Sequence, residues 1–146
     1  MRVSDVADSL TGEESPVVFE HRVPTRWGDG DPFGHVNHAV FITYLEEARD
    51  AWFTAKLGSC RVYVIVRIEI DLKQELFPNT GDVTVRIAVE ELGRSKMVTN
   101  EELIGPGGTV VAAARVITVR WDEHARRPVA LTDSEREALT TPVPAA

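Results

Sequence analysis

Hydrophobic and polar positions divide the chain into one helical stretch framed by strands. Val17 to Trp27 reads as a strand, followed by Gly28-Asp29-Gly30-Asp31-Pro32-Phe33-Gly34, where three glycines and a proline break regular structure. Beyond that loop, Phe41, Leu45, Ala48, Trp52 and Ala55 recur at helical spacing, with Asn37 as a suitable N-cap and Gly58 as a suitable stop. The apolar arc is wider than one face requires, which predicts a helix covered on several sides. After Gly58 the period changes to two. Ile68, Ile70 and Leu72 alternate with Arg67, Glu69, Asp71 and Lys73, and Val83, Val85, Ile87 and Val89 alternate with Thr84, Arg86, Ala88 and Glu90. Asn79-Thr80-Gly81-Asp82 and Gly105-Pro106-Gly107-Gly108 carry turn chemistry suited to joining antiparallel neighbours. Thr109 to Trp121 supplies another long strand, and Asp133 to Leu139 a short final helix.

The order strand, long helix, then strands lacks the alternation that builds a parallel sheet, so the class is α+β. One long helix and one antiparallel sheet are satisfied together when the sheet curls round the helix. A single helix cannot cover such a sheet economically, which predicts pairing with a second copy. The domain is expected over residues 17–139, with flexible segments at 1–16 and 140–146.

Composition narrows the functional classes. The 146 residues are 43% hydrophobic and carry 16 basic against 23 acidic side chains, a net of −7. That is enough apolar material for a core, and too negative for general nucleic-acid binding, which depends on phosphate neutralisation. The single cysteine, Cys60, excludes an intrachain disulfide, and is expected to be a small buried residue. No segment is long and apolar enough for a membrane span, and Met1 to Pro16 has no signal-peptide run, so a soluble cytoplasmic domain is expected.

The densest polar cluster is Asp29, Asp31, His35, Asn37 and His38, just before or at the start of the long helix. Asp29-Gly30-Asp31 with Gly34 matches the opening of an EF-hand loop, but Phe33 and Val40 stand where an oxygen ligand and a bidentate glutamate are needed. His35 and His38 lack a clear third ligand for zinc, so no metal is expected. No G-x-S-x-G elbow is present, and Cys60 has no activating motif. Carboxylate chemistry beside a helix N-terminus remains: the orphan N–H groups of His38 and Ala39 would bind an oxyanion forming on a carbonyl, and an upstream carboxylate would attack it or activate water. Asp29 reads as a turn former, and His35 and Asn37 as loop-shaping and capping residues. Glu46, Glu47, Arg49 and Asp50 read as i,i+3 and i,i+4 pairs on the exposed helix face.

Arg26-Trp27-Gly28-Asp29-Gly30-Asp31-Pro32-Phe33-Gly34-His35-Val36-Asn37-His38, followed by Tyr44-Leu45-Glu46-Glu47-Ala48-Arg49, resembles the signature of hotdog-fold thioesterases of the 4-hydroxybenzoyl-CoA and acyl-CoA thioesterase group. Weaker matches at Glu69-Ile70-Asp71, Gly81-Asp82, Gly93-Arg94-Ser95 and Arg127-Pro128 extend it over most of the chain. The resemblance implies a curved antiparallel sheet of about five strands around one long central helix, and hydrolysis of an acyl-CoA or acyl-carrier-protein thioester without any cofactor beyond the substrate's own coenzyme A. It places the catalytic carboxylate, as nucleophile or general base, at Asp31, and the carbonyl-polarising amide at His38. A subset of the family uses a histidine side chain at that position, where this chain has His38. Those relatives carry a tyrosine four residues before the aspartate, where this chain has Trp27, which cannot act as acid or base. CoA phosphates would meet Arg94, Ser95 and Lys96, and Phe33, His35 and Asn37 would line the substrate site. The family's ligand channel lies at the subunit interface, implying a homodimer or homotetramer.

Two other readings stand beside it: a non-catalytic acyl-thioester-binding or scaffold protein on the same fold, and a thioesterase branch using a helix carboxylate such as Glu46 or Glu47. A hotdog hydratase fits less well, because no Asn-Pro stands between Asp31 and His35.

Overall fold

The computed structural model describes residues 16–142. The tails expected at 1–16 and 140–146 lie largely outside these residues, although Thr140 itself ends a helix. The elements run β1 (Val17–Pro24), α1 (His38–Leu57), β2 (Tyr63–Leu72), β3 (Asp82–Leu92), β4 (Lys96–Ile104), β5 (Val110–Asp122), β6 (Arg127–Pro128) and α2 (Asp133–Thr140). The five long strands form one antiparallel sheet ordered β1-β3-β4-β5-β2, and β6 pairs with the end of β5. With α1 against one face, this is the expected hotdog arrangement.

Both ends of α1 follow local rules. The Asn37 side chain accepts the Ala39 amide at 2.9 Å, and Gly58 closes the helix in the left-handed region at φ +80°, where a side chain would be strained. Phe41, Leu45, Ala48 and Trp52 are buried as the spacing predicts, together with Tyr44 and Phe53, whereas Ala55 is exposed. They meet the inward residues of the sheet: Val83, Val85 and Ile87 on β3, Met97 and Leu103 on β4, and Ala112, Ala114 and Val116 on β5.

The structure corrects several expectations. The first strand stops at Pro24 rather than Trp27, because residues 27–29 coil into a single 3-10 turn. The Gly105–Gly108 turn joins the neighbours β4 and β5, but Asn79–Asp82 does not join neighbours. It ends a crossover, because β2 pairs with the free edge of β5 while β3 lies beside β1. Cys60 is exposed, since it lies in the loop that follows the Gly58 cap rather than on a packed face.

The largest departure is on α1. Arg49 is fully buried, and its Nη1 lies 2.6 Å from Oε1 of the equally buried Glu101 on β4, whose Oε2 accepts the Thr99 hydroxyl at 2.7 Å. Arg49 sits one turn from Leu45 and from Phe53, on the packed arc, and Glu101 is in phase with the inward Met97, Thr99 and Leu103. Neither could face solvent without turning its element over. Burial pushes the Glu101 carboxyl up, and Arg49 opposes that shift. Glu47 and Asp50 likewise find distant partners, Arg26 at 2.9 Å and the Tyr63 hydroxyl at 2.7 Å, instead of helical neighbours.

Removing one member of a buried ion pair strands the other charge. Glu101→Ala is therefore expected to destabilise the protein by about 3–5 kcal/mol, read from urea unfolding, whereas Arg49→Met with Glu101→Leu should lie within about 1 kcal/mol of wild type or above it.

Candidate active site

The loop between β1 and α1 is held from its backbone outward. Thr25 donates its hydroxyl to the Gly81 carbonyl at 2.8 Å, fixing the loop's start to the beginning of β3. Asp29 then anchors the turn: its Oδ2 accepts the Arg26 amide at 2.9 Å and the Tyr44 hydroxyl at 2.6 Å, and its carbonyl accepts the Asn37 amide at 2.9 Å. Asp29 is thus the turn former expected. Burial, followed by the bond to Asp29, pushes the Tyr44 hydroxyl well above the usual tyrosine range. The Tyr63 hydroxyl is raised in the same way by burial and Asp50.

Inside this frame Gly30 and Val36 pair as a bridge, and Asp31 heads the turn between them. The Asp31 amide donates to the His35 carbonyl at 2.7 Å, and the Gly34 amide returns to the Asp31 carbonyl at 3.0 Å. Gly34 takes φ +84°, which favours glycine at that corner. Asp31 Oδ1 accepts the amides of Phe33 at 2.9 Å and His35 at 3.2 Å. Its other oxygen has no hydrogen-bond partner among the described residues. One oxygen is held by the turn, and the second carries no bond within it.

Asp31, His35 and His38 line one open cleft of about 340 Å³ with Val36, Phe41 and the segment Leu72–Glu75. The volume falls within the range of small-molecule sites, roughly 300–1,000 Å³. At its edge the His38 amide begins α1 and has no partner among the described residues, so it presents an N–H and the positive end of a 20-residue helix. The expected second donor does not serve: the Ala39 amide is already taken by the Asn37 side chain, so Asn37 works as the cap.

Two further expectations change. Phe33 sits at the tip of the Asp31–Gly34 turn and is 84% exposed outside the cleft, so Phe41 supplies the aromatic wall instead. Arg94 and Ser95 lie in the β3–β4 turn and Lys96 opens β4, at the far end of an 11-residue strand whose beginning adjoins the loop, about 30 Å away along β3. There Lys96 faces Glu91 at 3.5 Å, and the Arg94 carbonyl accepts the Leu131 amide at 2.8 Å. Within one chain they do not share the cleft. Trp27 is also 84% exposed.

The sequence reading missed the opposite wall. Leu72 at the end of β2 and Lys73, Gln74 and Glu75 of the β2–β3 crossover line the cleft, and Glu75 Oε2 lies 3.1 Å from His35 Nε2. Nothing local in the sequence marks these residues, because the strand order brings them to the loop. Among the described residues no cluster of His, Cys, Asp and Glu is arranged to hold a metal ion, and no helix is long and apolar enough to cross a membrane.

The family model of the thioesterase-like superfamily matches residues 25–139, which span this loop, the helix and every strand of the sheet except β1. The chain belongs to that superfamily. Among solved structures, a Thermus thermophilus thioesterase complexed with coenzyme A and Zn is 29% identical, with a TM-score of 0.75 over 86% of this chain and 98% of that one. A predicted thioesterase from Bacillus stearothermophilus is 26% identical, with a TM-score of 0.74 over 83% and 92%. A 1,4-dihydroxy-2-naphthoyl-CoA thioesterase from Synechocystis, at 17% identity and a TM-score of 0.71 over 83% and 94%, shares the fold. No functionally curated protein matches the sequence.

The thioesterase-like loop thus depends on a tyrosine whose proton the folded state retains. Because folding raises the Tyr44 and Tyr63 values, their contribution is present below the unfolded tyrosine value near 10 and is lost as pH rises beyond it. Unfolding free energy is expected to fall above about pH 10, with a shallower fall in Tyr44→Phe/Tyr63→Phe. At neutral pH Tyr44→Phe alone should cost about 1–2 kcal/mol.

Proposed function

We propose that this protein hydrolyses acyl-CoA thioesters, with Asp31 as nucleophile or general base and the His38 amide polarising the thioester carbonyl. The observation that carries the reading is the pairing of a half-occupied carboxylate with an unpartnered helix-terminal N–H in one cleft. As general base, Asp31 takes a proton from water while the water oxygen bonds to the carbonyl carbon. The carbonyl oxygen, now negative, accepts the His38 N–H. Collapse of the tetrahedral species breaks the carbon–sulfur bond, and the departing thiolate receives the proton. As nucleophile, Asp31 would bond to the carbonyl carbon and expel the thiolate; water would then open the mixed anhydride, restoring the carboxylate and releasing the acid and a proton that the thiolate takes up. The His38 side chain also lines the cleft and would assist the departing sulfur.

Support for coenzyme A comes from the Thermus thermophilus relative, whose structure contains it. An acyl-carrier protein remains an alternative carrier for the same chemistry. The alternative of a non-catalytic acyl-thioester-binding protein draws on Trp27, which stands exposed where a proton-transferring tyrosine would be expected. A single assay separates the two. Thiol release from acetyl-, hexanoyl-, palmitoyl-, benzoyl- and 4-hydroxybenzoyl-CoA is expected from wild type, and Asp31→Asn should lower kcat/KM at least about 100-fold. Binding without release from any of these would favour the non-catalytic reading.

The cleft wall Leu72–Glu75 continues from an unpaired sheet edge. On that edge, β2 exposes Ile65, Val66 and Leu72, so a homodimer formed along β2 would cover apolar surface and close the cleft's open side. Antiparallel pairing of two β2 strands would also carry the partner's β3–β4 turn to this end of the sheet, which is how Arg94, Ser95 and Lys96 would reach CoA phosphates. Pairing of two such dimers would give the homotetramer. Val66→Lys is expected to shift the protein to monomer in sedimentation velocity and to reduce thiol release in parallel. A monomer with full activity would remove the interface from the mechanism.

A further inference from the structure

The β2–β3 crossover does more than form a wall. It is tied to the sheet and to the loop: the amides of Lys73 and Gln74 donate to the Val111 carbonyl at 2.8 and 3.1 Å, and Leu76 is buried in the core. The Leu76 carbonyl in turn accepts the Val36 amide at 2.7 Å. Between these anchors, Glu75 Oε2 meets His35 Nε2 at 3.1 Å, and the His35 ring stands edge-on to Phe77 with centroids 5.7 Å apart.

His35 grips Asp31 from both sides. Its carbonyl accepts the Asp31 amide, and its amide donates to Asp31 Oδ1. Two of the bonds that hold Asp31 in its turn therefore run through the His35 backbone, so what fixes His35 also fixes the carboxylate. We propose that Glu75 is a positioning residue, which fixes His35 and through its backbone aims the free oxygen of Asp31 into the cleft. The proposal rests on the reading of Asp31 as the catalytic carboxylate.

A half-exposed contact of this kind adds little to global stability, so the effect belongs in turnover and local opening rather than in Tm. The test uses Glu75→Ala, Glu75→Gln, His35→Ala and the double alanine variant beside Asp31→Asn, with the best substrate of the acyl-CoA panel above. Glu75→Ala is expected to lower kcat about 10-fold with KM within about twofold, because misplacement of a reacting group acts on the chemical step. Glu75→Gln keeps an acceptor for the His35 N–H and should recover most of the rate. The double alanine variant should be no slower than the slower single one, since both break the same link. Amide exchange followed by NMR needs no substrate: the Phe33 and His35 amides, which bind Asp31 Oδ1, should exchange several-fold faster in Glu75→Ala, with core amides unchanged.

Wild-type kcat in Glu75→Ala, single losses that multiply in the double variant, a rise in KM alone, or unchanged exchange at Phe33 and His35 would each overturn the positioning role. With Asp31→Asn inactive, that failure would leave the site reading intact. Full activity in Asp31→Asn would overturn both.

Discussion

The hydrogen bond from the Tyr44 hydroxyl to Asp29 is the constraint on which the candidate site depends. It joins the turn that ends β1 to the second turn of α1, and Asn37, whose amide meets the Asp29 carbonyl, sets where that helix begins. With both ends fixed, the glycine-rich segment between them closes into a small loop whose carboxylate and helix-terminal amide face one cleft. The two aspartates, separated by Gly30, are bonded differently. Asp29 has its carboxylate and its carbonyl bonded within the frame, while Asp31 keeps one oxygen unbonded.

A second constraint sets the helix's orientation. Arg49 and Glu101 are charges placed where only apolar groups would be expected, and each is tolerable only opposite the other. Rotating α1 about its axis or shifting β4 by one residue would separate them, leaving a buried charge without its partner. This pair restricts how the helix can sit on the sheet, and with it where the His38 end of the helix lies. The hydrophobic core supplies the packing, and the ion pair adds a requirement on register that interchangeable aliphatic side chains do not impose.

The cleft also shows why sheet order matters for function. Because β2 takes the outer edge beside β5, the chain must cross back to begin β3, and that crossover passes under the Asp31 loop. The loop and helix form one wall of the cleft, but the opposite wall is built from residues more than thirty positions further along. Lys73, Gln74 and Glu75 are polar, so the cleft combines an apolar floor with charged and hydrogen-bonding groups.

What the sequence determined by itself was local. The helix from His38 to Leu57 was legible from its period and its caps, because Asn37 and Gly58 act on backbone groups within a few residues. The alternation along β3 marked its buried face, and the Asp31–His38 motif pointed to the loop that carries the candidate chemistry. The tertiary structure decided whatever depended on partners distant in the chain. Arg49 looked like a solvated helix charge until Glu101, 52 residues later, was placed beside it. Ala39 looked like a free amide until the cap was seen to occupy it, and Phe33 like a pocket residue until the turn directed it outward. Glu75 carried no signal at all. Periodicity reports which face of an element is covered, whereas which residue does the covering is set by strand order, and that is a property of the whole chain.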